Sequence, residues 1–320
     1  MKDFWAEELQ NQRKGKLLKV AILIVILLII IAFAVLIVVY FQNTDFRKWC
    51  DENIIKKEIQ QENTKYIDID GDDNTKVYAY DKYICVYRKK VLEFYNRAGE
   101  KSGSIELSIN NPMFTTAGRY LAICEENGQK FYLITGKEKV FENEIEGNIK
   151  QINVSKNGYV SVVISNTSYK SIVDVFDGSG KEIFKTNLMS RVVDISISQD
   201  NKYLAIAEVD LSGIIIKSRI QIISIELAKT DSEKAIQYKY EATNNKLIMN
   251  IEYQEQNNLI CMYNDSVDIL QEQNNKEIES FKNKKISFMT VQLNNRITLL
   301  EEKSTGEYPA DTKVRIIDPV

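Results

Sequence analysis

Hydrophobic and polar positions divide the chain into one apolar block near the N-terminus and a long region of short alternating runs. The block extends from Val20 to Phe41 without a charge, a glycine or a proline. A helix of this length reaches about 33 Å, enough to cross the hydrocarbon core of a bilayer. We therefore predict one transmembrane helix over residues 20–41, with the lipid bilayer as its partner.

Two other structures could account for the apolar block. A buried helix of a soluble protein seldom stays apolar on every face over such a length. A cleaved signal peptide fits the basic flank and the triplet Ala32–Ala34. Its apolar stretch, however, normally spans about 7 to 15 residues, and this block continues past the triplet. The pattern favours an uncleaved signal anchor, with the cleaved peptide as the alternative.

Basic residues beside the block predict its direction in the membrane. Only Arg47 and Lys48 follow it closely, whereas four basic residues precede it: Arg13, Lys14, Lys16 and Lys19. An excess of basic residues marks the cytoplasmic side of a span. We therefore predict a cytoplasmic tail over residues 1–19 and an extracytoplasmic location for everything after the span.

The pattern changes twice after the apolar block. Residues 42–65 are polar, with apolar residues at intervals of three to five positions, which predicts an irregular helical stalk. From Tyr66 onward, short apolar runs such as Ile172–Phe176 are separated by turns rich in Asn, Gly and Asp. Such alternation predicts an all-β domain over residues 66–320.

One hairpin sequence recurs through the β region. Gly118–Ala122, Asn157–Ser161 and Asn201–Ala205 have the same pattern and lie about 40 residues apart, which is the spacing of propeller blades. A second turn, as in Asp177–Glu182, recurs between the next two strands. Four antiparallel strands in each such unit predict a β-propeller of about six four-stranded blades. The units start near residues 75, 112, 149, 191, 246 and 285.

The last unit lacks a fourth strand after Lys313–Ile317. The strand-like segment Tyr66–Asp70 precedes the first unit and has no partner of its own. We predict that this segment completes the last blade, since closing the ring removes two exposed sheet edges. A chain that continues beyond Val320 and a ring of seven blades are the alternatives.

The hairpin Ser198–Ala205 and the turn Phe176–Glu182 resemble those of WD40-like and quinoprotein-like propellers. With its basic tail and single span, the layout resembles an uncharacterised family of membrane-anchored propellers of Gram-positive bacteria. The resemblance covers residues 77–320 and implies the propeller fold without implying an activity. The chain lacks the Gly-His pair of WD40 repeats, and its two tryptophans, Trp5 and Trp49, do not match the docking tryptophans of quinoprotein dehydrogenases.

Composition removes several kinds of chemistry. The chain has no histidine, which excludes Ser-His-Asp and Cys-His catalysis as well as zinc and haem sites that need a histidine ligand. A formal net charge of −3 gives no electrostatic reason to expect a nucleic acid partner. No cysteine has a neighbour at metal-ligand spacing. We expect buried thiols, with a Cys85–Cys124 disulfide as the alternative in an exported domain; the four cysteines are Cys50, Cys85, Cys124 and Cys261.

Two acidic features are candidates for a functional site. Asp68–Asn74 resembles the opening of a calcium loop, but Ala79 occupies the position of its bidentate glutamate, so a solvated acidic turn is favoured. Glu125–Glu126 and Glu301–Glu302 are adjacent carboxylates. Because neighbours on a strand point to opposite faces, neither pair forms an acid–base couple by itself.

Two further features could bind a partner. The polar insertion Ala228–Lys234 breaks the symmetry of the fourth unit, and a surface loop of this kind can carry a binding function or be merely tolerated. Tyrosines at one repeat position could line a surface, although packing between blades is favoured: Tyr83, Tyr120, Tyr159 and Tyr203.

No residue is predicted to be catalytic, to bind a cofactor or to bind a metal. We therefore predict a non-catalytic protein-interaction or scaffold module at the cell surface, with a cell-envelope protein as its partner. The alternative is an extracytoplasmic, carboxylate-dependent enzyme that acts on glycans. A sensor is a third hypothesis, but the tail is too short to hold a signalling domain.

Overall fold

The computed structural model describes the chain mainly from residue 75 onward. The described ranges are 75–231, 234–243, 246–272, 274–282, 285–293, 296–302 and 312–317, with short stretches and single residues between 23 and 69. The chain divides into two compact units, Met1–Thr64 and Lys65–Val320. The predicted tail lies outside the described residues, as does the predicted stalk apart from Cys50.

The predicted span is described in four pieces, residues 23, 25–30, 32–33 and 35–40, all of which are helical. Nearly all of their large apolar side chains are more than half exposed. Among the described residues, no helix has both the length and the hydropathy that crossing a membrane requires. The transmembrane helix over residues 20–41 therefore stays a prediction.

The second unit consists of antiparallel sheets formed by consecutive strands. The first three sheets contain β1–β4 (Lys76–Tyr80, Tyr83–Arg88, Val91–Tyr95, Lys101–Glu106), β5–β8 (Pro112–Ala117, Tyr120–Glu125, Lys130–Thr135, Glu138–Glu144) and β9–β12 (Asn148–Val154, Val160–Ser165, Ser171–Phe176, Glu182–Leu188). The next sheets contain β13–β16 (Arg191–Ile197, Tyr203–Asp210, Lys217–Ser224, Ile236–Glu241), β17–β20 (Ile248–Tyr253, Leu259–Tyr263, Ser266–Gln271, Asn274–Ser280) and β21–β23 (Lys285–Leu293, Arg296–Glu302, Thr312–Ile317). A four-residue helix, α1 (Ile225–Ala228), follows β15, and a short 3₁₀ turn (Glu255–Asn257) follows β17.

These sheets confirm the predicted repeat of four antiparallel strands. Each predicted unit start lies within two residues of the first strand of a sheet. In the first hairpin of four successive sheets, one turn residue has a positive φ, and it is Asp81, Gly118, Gly158 or Asn201. These residue types tolerate the left-handed conformation, which explains why the turn recurs in the sequence.

Each pair of consecutive sheets encloses one apolar cluster. On β6, Leu121 and Ile123 pack against the first sheet, whereas Ala122 and Cys124 pack against the third. Because both faces of such a strand are buried, it is apolar at successive positions. Burial of each large apolar side chain contributes about 1.5 to 3 kcal/mol. The sheets are therefore stacked face to face in chain order, as in a propeller.

The predicted closure of the ring is not tested. In the described part of the chain, the sixth sheet has three strands. Tyr66, Asp68 and Asp70 of the predicted closing strand lie outside the described residues, and Ile67 and Ile69 are not in a strand. The blade count and the closing strand therefore remain predictions.

Candidate functional site

The predicted calcium loop, Asp68–Asn74, lies outside the described residues except for Ile69. Within the described ranges, no three acidic or cysteine side chains are grouped so that they could hold a metal ion.

The adjacent glutamates have separate structural contacts. Glu125 Oε1 accepts hydrogen bonds from the main-chain and side-chain N–H groups of Asn110, at 3.1 and 2.9 Å. Glu126 accepts one from the side chain of Asn111, and Glu301 lies 3.7 Å from the guanidinium of Arg315. These contacts connect neighbouring strands and loops, so the structure does not bring the described side chains of Glu125, Glu126 and Glu301 into one site.

The four repeat-position tyrosines are half-buried and pack against the apolar clusters between sheets, which confirms the favoured prediction. Tyr120 crosses to the next sheet so closely that a Cβ at Gly158 would lie 2.9 Å from its ring. Tyr203 also lines a pocket, and a binding role for this residue stays a prediction.

The cysteines are free and buried, so the predicted disulfide alternative is absent. Burial raises the pKa of the thiols of Cys85 and Cys124 to about 12, which keeps both protonated and unreactive. The polar insertion starts as part of α1, whose Ile225 and Ala228 are buried. Its first residue is therefore packed on the sheets and is not part of a free loop.

The first strands of the third, fourth and fifth sheets contribute to a polar network that is not apparent from the sequence. β9, β13 and β17 each have a β-bulge immediately before Gln151, Asp194 and Asn250, respectively. A bulge redirects the side chains beside it. These three polar residues therefore occupy one repeat position, which was the signal available in the sequence.

Asp194 is the centre of this network. Its Oδ1 accepts hydrogen bonds from the side-chain amide of Gln151 and from its neighbour's main-chain N–H, that of Ile195. Its Oδ2 accepts from the side-chain amide of Asn250 and from the main-chain N–H of Ile251 at 2.8 Å. One buried carboxylate thus joins three sheets.

Serine hydroxyls make similar contacts from one sheet to the next. Ser196 accepts a hydrogen bond from the main-chain N–H of Tyr253 at 3.0 Å. At the other ends of the strands, Ser171 accepts from the N–H of Val192, and Ser218 from that of Ile248, at 3.0 and 3.1 Å. These contacts satisfy main-chain donors at strand edges that the ladder leaves unpaired.

Electrostatics set the protonation of the network. Burial raises the pKa of Asp194 to about 6, although four hydrogen bonds to its carboxylate oppose the shift. Burial and the nearby Asp194 raise the pKa of Glu252 to about 7. Because Asp194 already accepts four hydrogen bonds, it is poorly placed to act as a general base. The network is best explained as a set of structural hydrogen bonds that hold the sheets together.

A separate surface exposes apolar side chains at one rim of the sheets. Ile214 is fully exposed in the loop between β14 and β15, and Met189 in the neighbouring turn between β12 and β13 is 69% exposed. The start of β17 lies at this rim too. We call the following residues the apolar rim: Met189, Leu211, Ile214, Ile215, Ile216 and Met249.

The charged residues around the apolar rim have both signs. Lys170, Arg191 and Lys217 are exposed and basic, while Asp210 and Glu241 are acidic. Several exposed apolar side chains grouped at one rim are typical of an interaction surface. This surface is not apparent from the sequence, because isoleucines before a strand look like the start of that strand.

Comparisons with known proteins support the fold. The sequence model of a family described only as one of unknown function (DUF5711) matches residues 54–314. No curated protein sequence matches the chain. Among solved structures, the β-propeller domain of Myceliophteria thermophila Cps50 (Swd1) is similar with a TM-score of 0.51 and 10% identity, over 71% of this chain and 80% of that one.

Two further structures have lower scores. The Neurospora crassa Pan2 WD40 domain has a TM-score of 0.49 and 10% identity over 70% of each chain. The Dos1 propeller has a TM-score of 0.48 and 11% identity, over 70% of this chain and 75% of that one. At 10% identity, the similarity to the Cps50 (Swd1) propeller bears on the fold alone.

Proposed function

This chain belongs to the family of unknown function DUF5711, and we propose that it is a membrane-anchored interaction module built on a propeller fold. In this proposal, one helix over residues 20–41 holds a propeller of about six blades outside the cytoplasm. The propeller binds a cell-envelope protein through its apolar rim and catalyses no reaction.

The location rests on the sequence of the apolar block and its flanks. A run without charges from Val20 to Phe41, preceded by a basic cluster, is typical of a signal anchor with a cytoplasmic N-terminus. The described residues of this run are helical and exposed, as expected for a helix whose surroundings are lipid. Protease added to intact cells should therefore cut the propeller. Protection of the propeller until the cells are lysed contradicts the location.

The apolar rim is the observation that carries the binding function. Leu211, Ile214, Ile215 and Ile216 are between 43% exposed and fully exposed on one hairpin loop. Burying an isoleucine side chain in an interface contributes about 1.5 to 3 kcal/mol, so this loop can anchor a partner.

A protein fits this surface better than a lipid bilayer does. Binding to an anionic membrane favours basic residues around an apolar tip. Here Asp210 and Glu241 accompany the basic side chains, and a surface of mixed charge suits a protein partner with a polar rim of its own.

Replacing Ile214→Ser together with Ile215→Ser is expected to reduce capture of the partner at least tenfold. A tenfold loss corresponds to about 1.4 kcal/mol, less than the burial of one isoleucine contributes. The measurement is photo-crosslinking on intact cells from a photoreactive phenylalanine analogue at position 211. Thermal stability should change little, because both isoleucines are exposed.

Position 227 supplies the matched control. Leu227 lies on α1, next to the opposite ends of the strands, and is 45% exposed. The same analogue at position 227 should not give the adduct formed from position 211. The opposite result is that position 211 gives no protein adduct and that lipid vesicles added to the full-length protein cover the loop between β14 and β15. The surface then binds membrane, and the proposal is wrong.

A further inference from the structure

The rim opposite the apolar rim contains a pocket between the fourth and fifth sheets. Its volume is about 540 Å³. Tyr203 begins β14 here, whereas the apolar rim lies beyond the other end of that strand. Apolar residues in the lining are Ile222, Leu259 and Leu270, all of which are buried. The pocket is thus distinct from the proposed protein-binding surface.

Three tyrosines converge on this pocket from different strands: Tyr203 on β14, Tyr238 on β16 and Tyr253 on β17. Tyr253 is buried, and the other two rings are half-buried. Burial and the neighbouring Tyr203 and Glu272 raise the pKa of Tyr238, so its hydroxyl stays protonated. Each ring offers an apolar surface together with a hydroxyl that donates and accepts hydrogen bonds.

Side-chain amides supply most of the remaining polar lining: Gln256, Asn257, Asn258, Gln271 and Asn274. Two hydrogen bonds fix the turns that carry them. Asn257 donates to Asp200 at 3.1 Å, and Gln271 donates to Asn258 at 2.8 Å. An amide presents a donor and an acceptor side by side, so these groups can pair with a ligand's hydroxyls.

The charge of the lining restricts the ligand. Glu272 is the charged residue among the described lining residues, and neither lysine nor arginine is among them. A phosphate or carboxylate ligand would find no cationic partner there. A ligand rich in neutral hydroxyls would find aromatic surfaces and amides on several sides.

We propose that this pocket binds a neutral oligosaccharide. The apolar face of a pyranose ring packs on a tyrosine, and its hydroxyls pair with the amides and phenols of the lining. A proline-rich peptide also docks on aromatic grooves, but it carries few hydroxyls that could form hydrogen bonds with the five side-chain amides. The sugar therefore fits the polar lining better.

The test uses the full-length protein in detergent micelles with a panel of neutral tetrasaccharides: cellotetraose, chitotetraose, maltotetraose and laminaritetraose. Saturation-transfer NMR at about 10 mM sugar should show binding of at least one of them, since weak affinities are detectable at that concentration. Tyr203→Ala is expected to lower the affinity at least tenfold for the sugar that binds, because it removes one stacking surface. Asn258→Ala should also weaken binding.

Tyr159→Ala is the matched control, because Tyr159 has the repeat position of Tyr203 but is not in the pocket lining. It should leave sugar binding unchanged, with circular dichroism showing that each variant is folded. The proposal is wrong if the folded protein binds no sugar of the panel. It is also wrong if Tyr203→Ala and Tyr159→Ala affect binding equally, or if a proline-rich peptide binds there and the sugars do not.

Discussion

Replacing Asp194→Ala is expected to lower the free energy of unfolding by about 3 to 5 kcal/mol, because buried donors lose their acceptor. The side chain is 5% exposed and accepts hydrogen bonds from Gln151, Asn250 and two main-chain N–H groups. Water cannot easily replace the carboxylate between three packed sheets. The measurement is urea-induced unfolding of the full-length protein in detergent micelles, followed by circular dichroism.

Two further variants separate the network from a general effect of substitution on β13. Asp194→Asn keeps the shape and one carbonyl acceptor, so we expect it to be less destabilising than alanine. Arg191→Ala, on the same strand but exposed, should change stability by no more than about 0.5 kcal/mol. A loss of less than about 1 kcal/mol for Asp194→Ala would show that the carboxylate does not join the sheets.

Stability is expected to fall as the pH rises from about 4 to about 7. The pKa of Asp194 is raised to about 6 and that of Glu252 to about 7. In this window the folded protein keeps protons that the unfolded chain releases. The stabilisation is therefore complete below the pKa values that the two carboxyl groups have in the unfolded chain. It is lost as the pH rises past their pKa values in the folded protein. The shift at Asp194 alone corresponds to about 3 kcal/mol.

Urea midpoints measured across this range test the prediction. Glu252→Gln should flatten the upper part of the profile, near pH 7. Asp174, whose pKa is raised to about 6 by burial despite Lys185 at 3.0 Å, adds to the slope of every variant that retains it. Asp200→Asn is the control. The pKa of Asp200 is lowered to about 2, so this substitution should change the pH dependence of stability only below about pH 4. A profile that Glu252→Gln leaves unchanged would contradict the assignment.

The repeat could be predicted because its signals come from residues that are close together in the sequence. The first hairpin of several sheets needs a positive φ, so Asp81, Gly118, Gly158 and Asn201 recur at corresponding positions. The middle strands bury both faces, so they are apolar at successive positions. Both signals lie within a few residues of each other, and one sequence therefore reveals them.

The network and the pocket depend on contacts that sequence spacing does not reveal. Asp194 lies 43 residues from Gln151 and 56 from Asn250, and a one-residue bulge in each strand brings their side chains together. Tyr203, Tyr238 and Tyr253 converge only when the fourth and fifth sheets pack against each other. A single sequence gives the residues but not this packing, so both sites needed the structure.

The contacts between sheets have a consequence for how the chain is made. Three of these contacts pair a side-chain acceptor with a main-chain N–H of the next sheet, so the acceptor comes first in the sequence: Ser171 before Val192, Ser218 before Ile248, and Asp194 before Ile251. A chain that emerges from its N-terminus therefore finishes each acceptor before the strand that needs it appears. Every completed sheet can template its successor, so folding can keep pace with synthesis and leave one unpaired strand edge at a time.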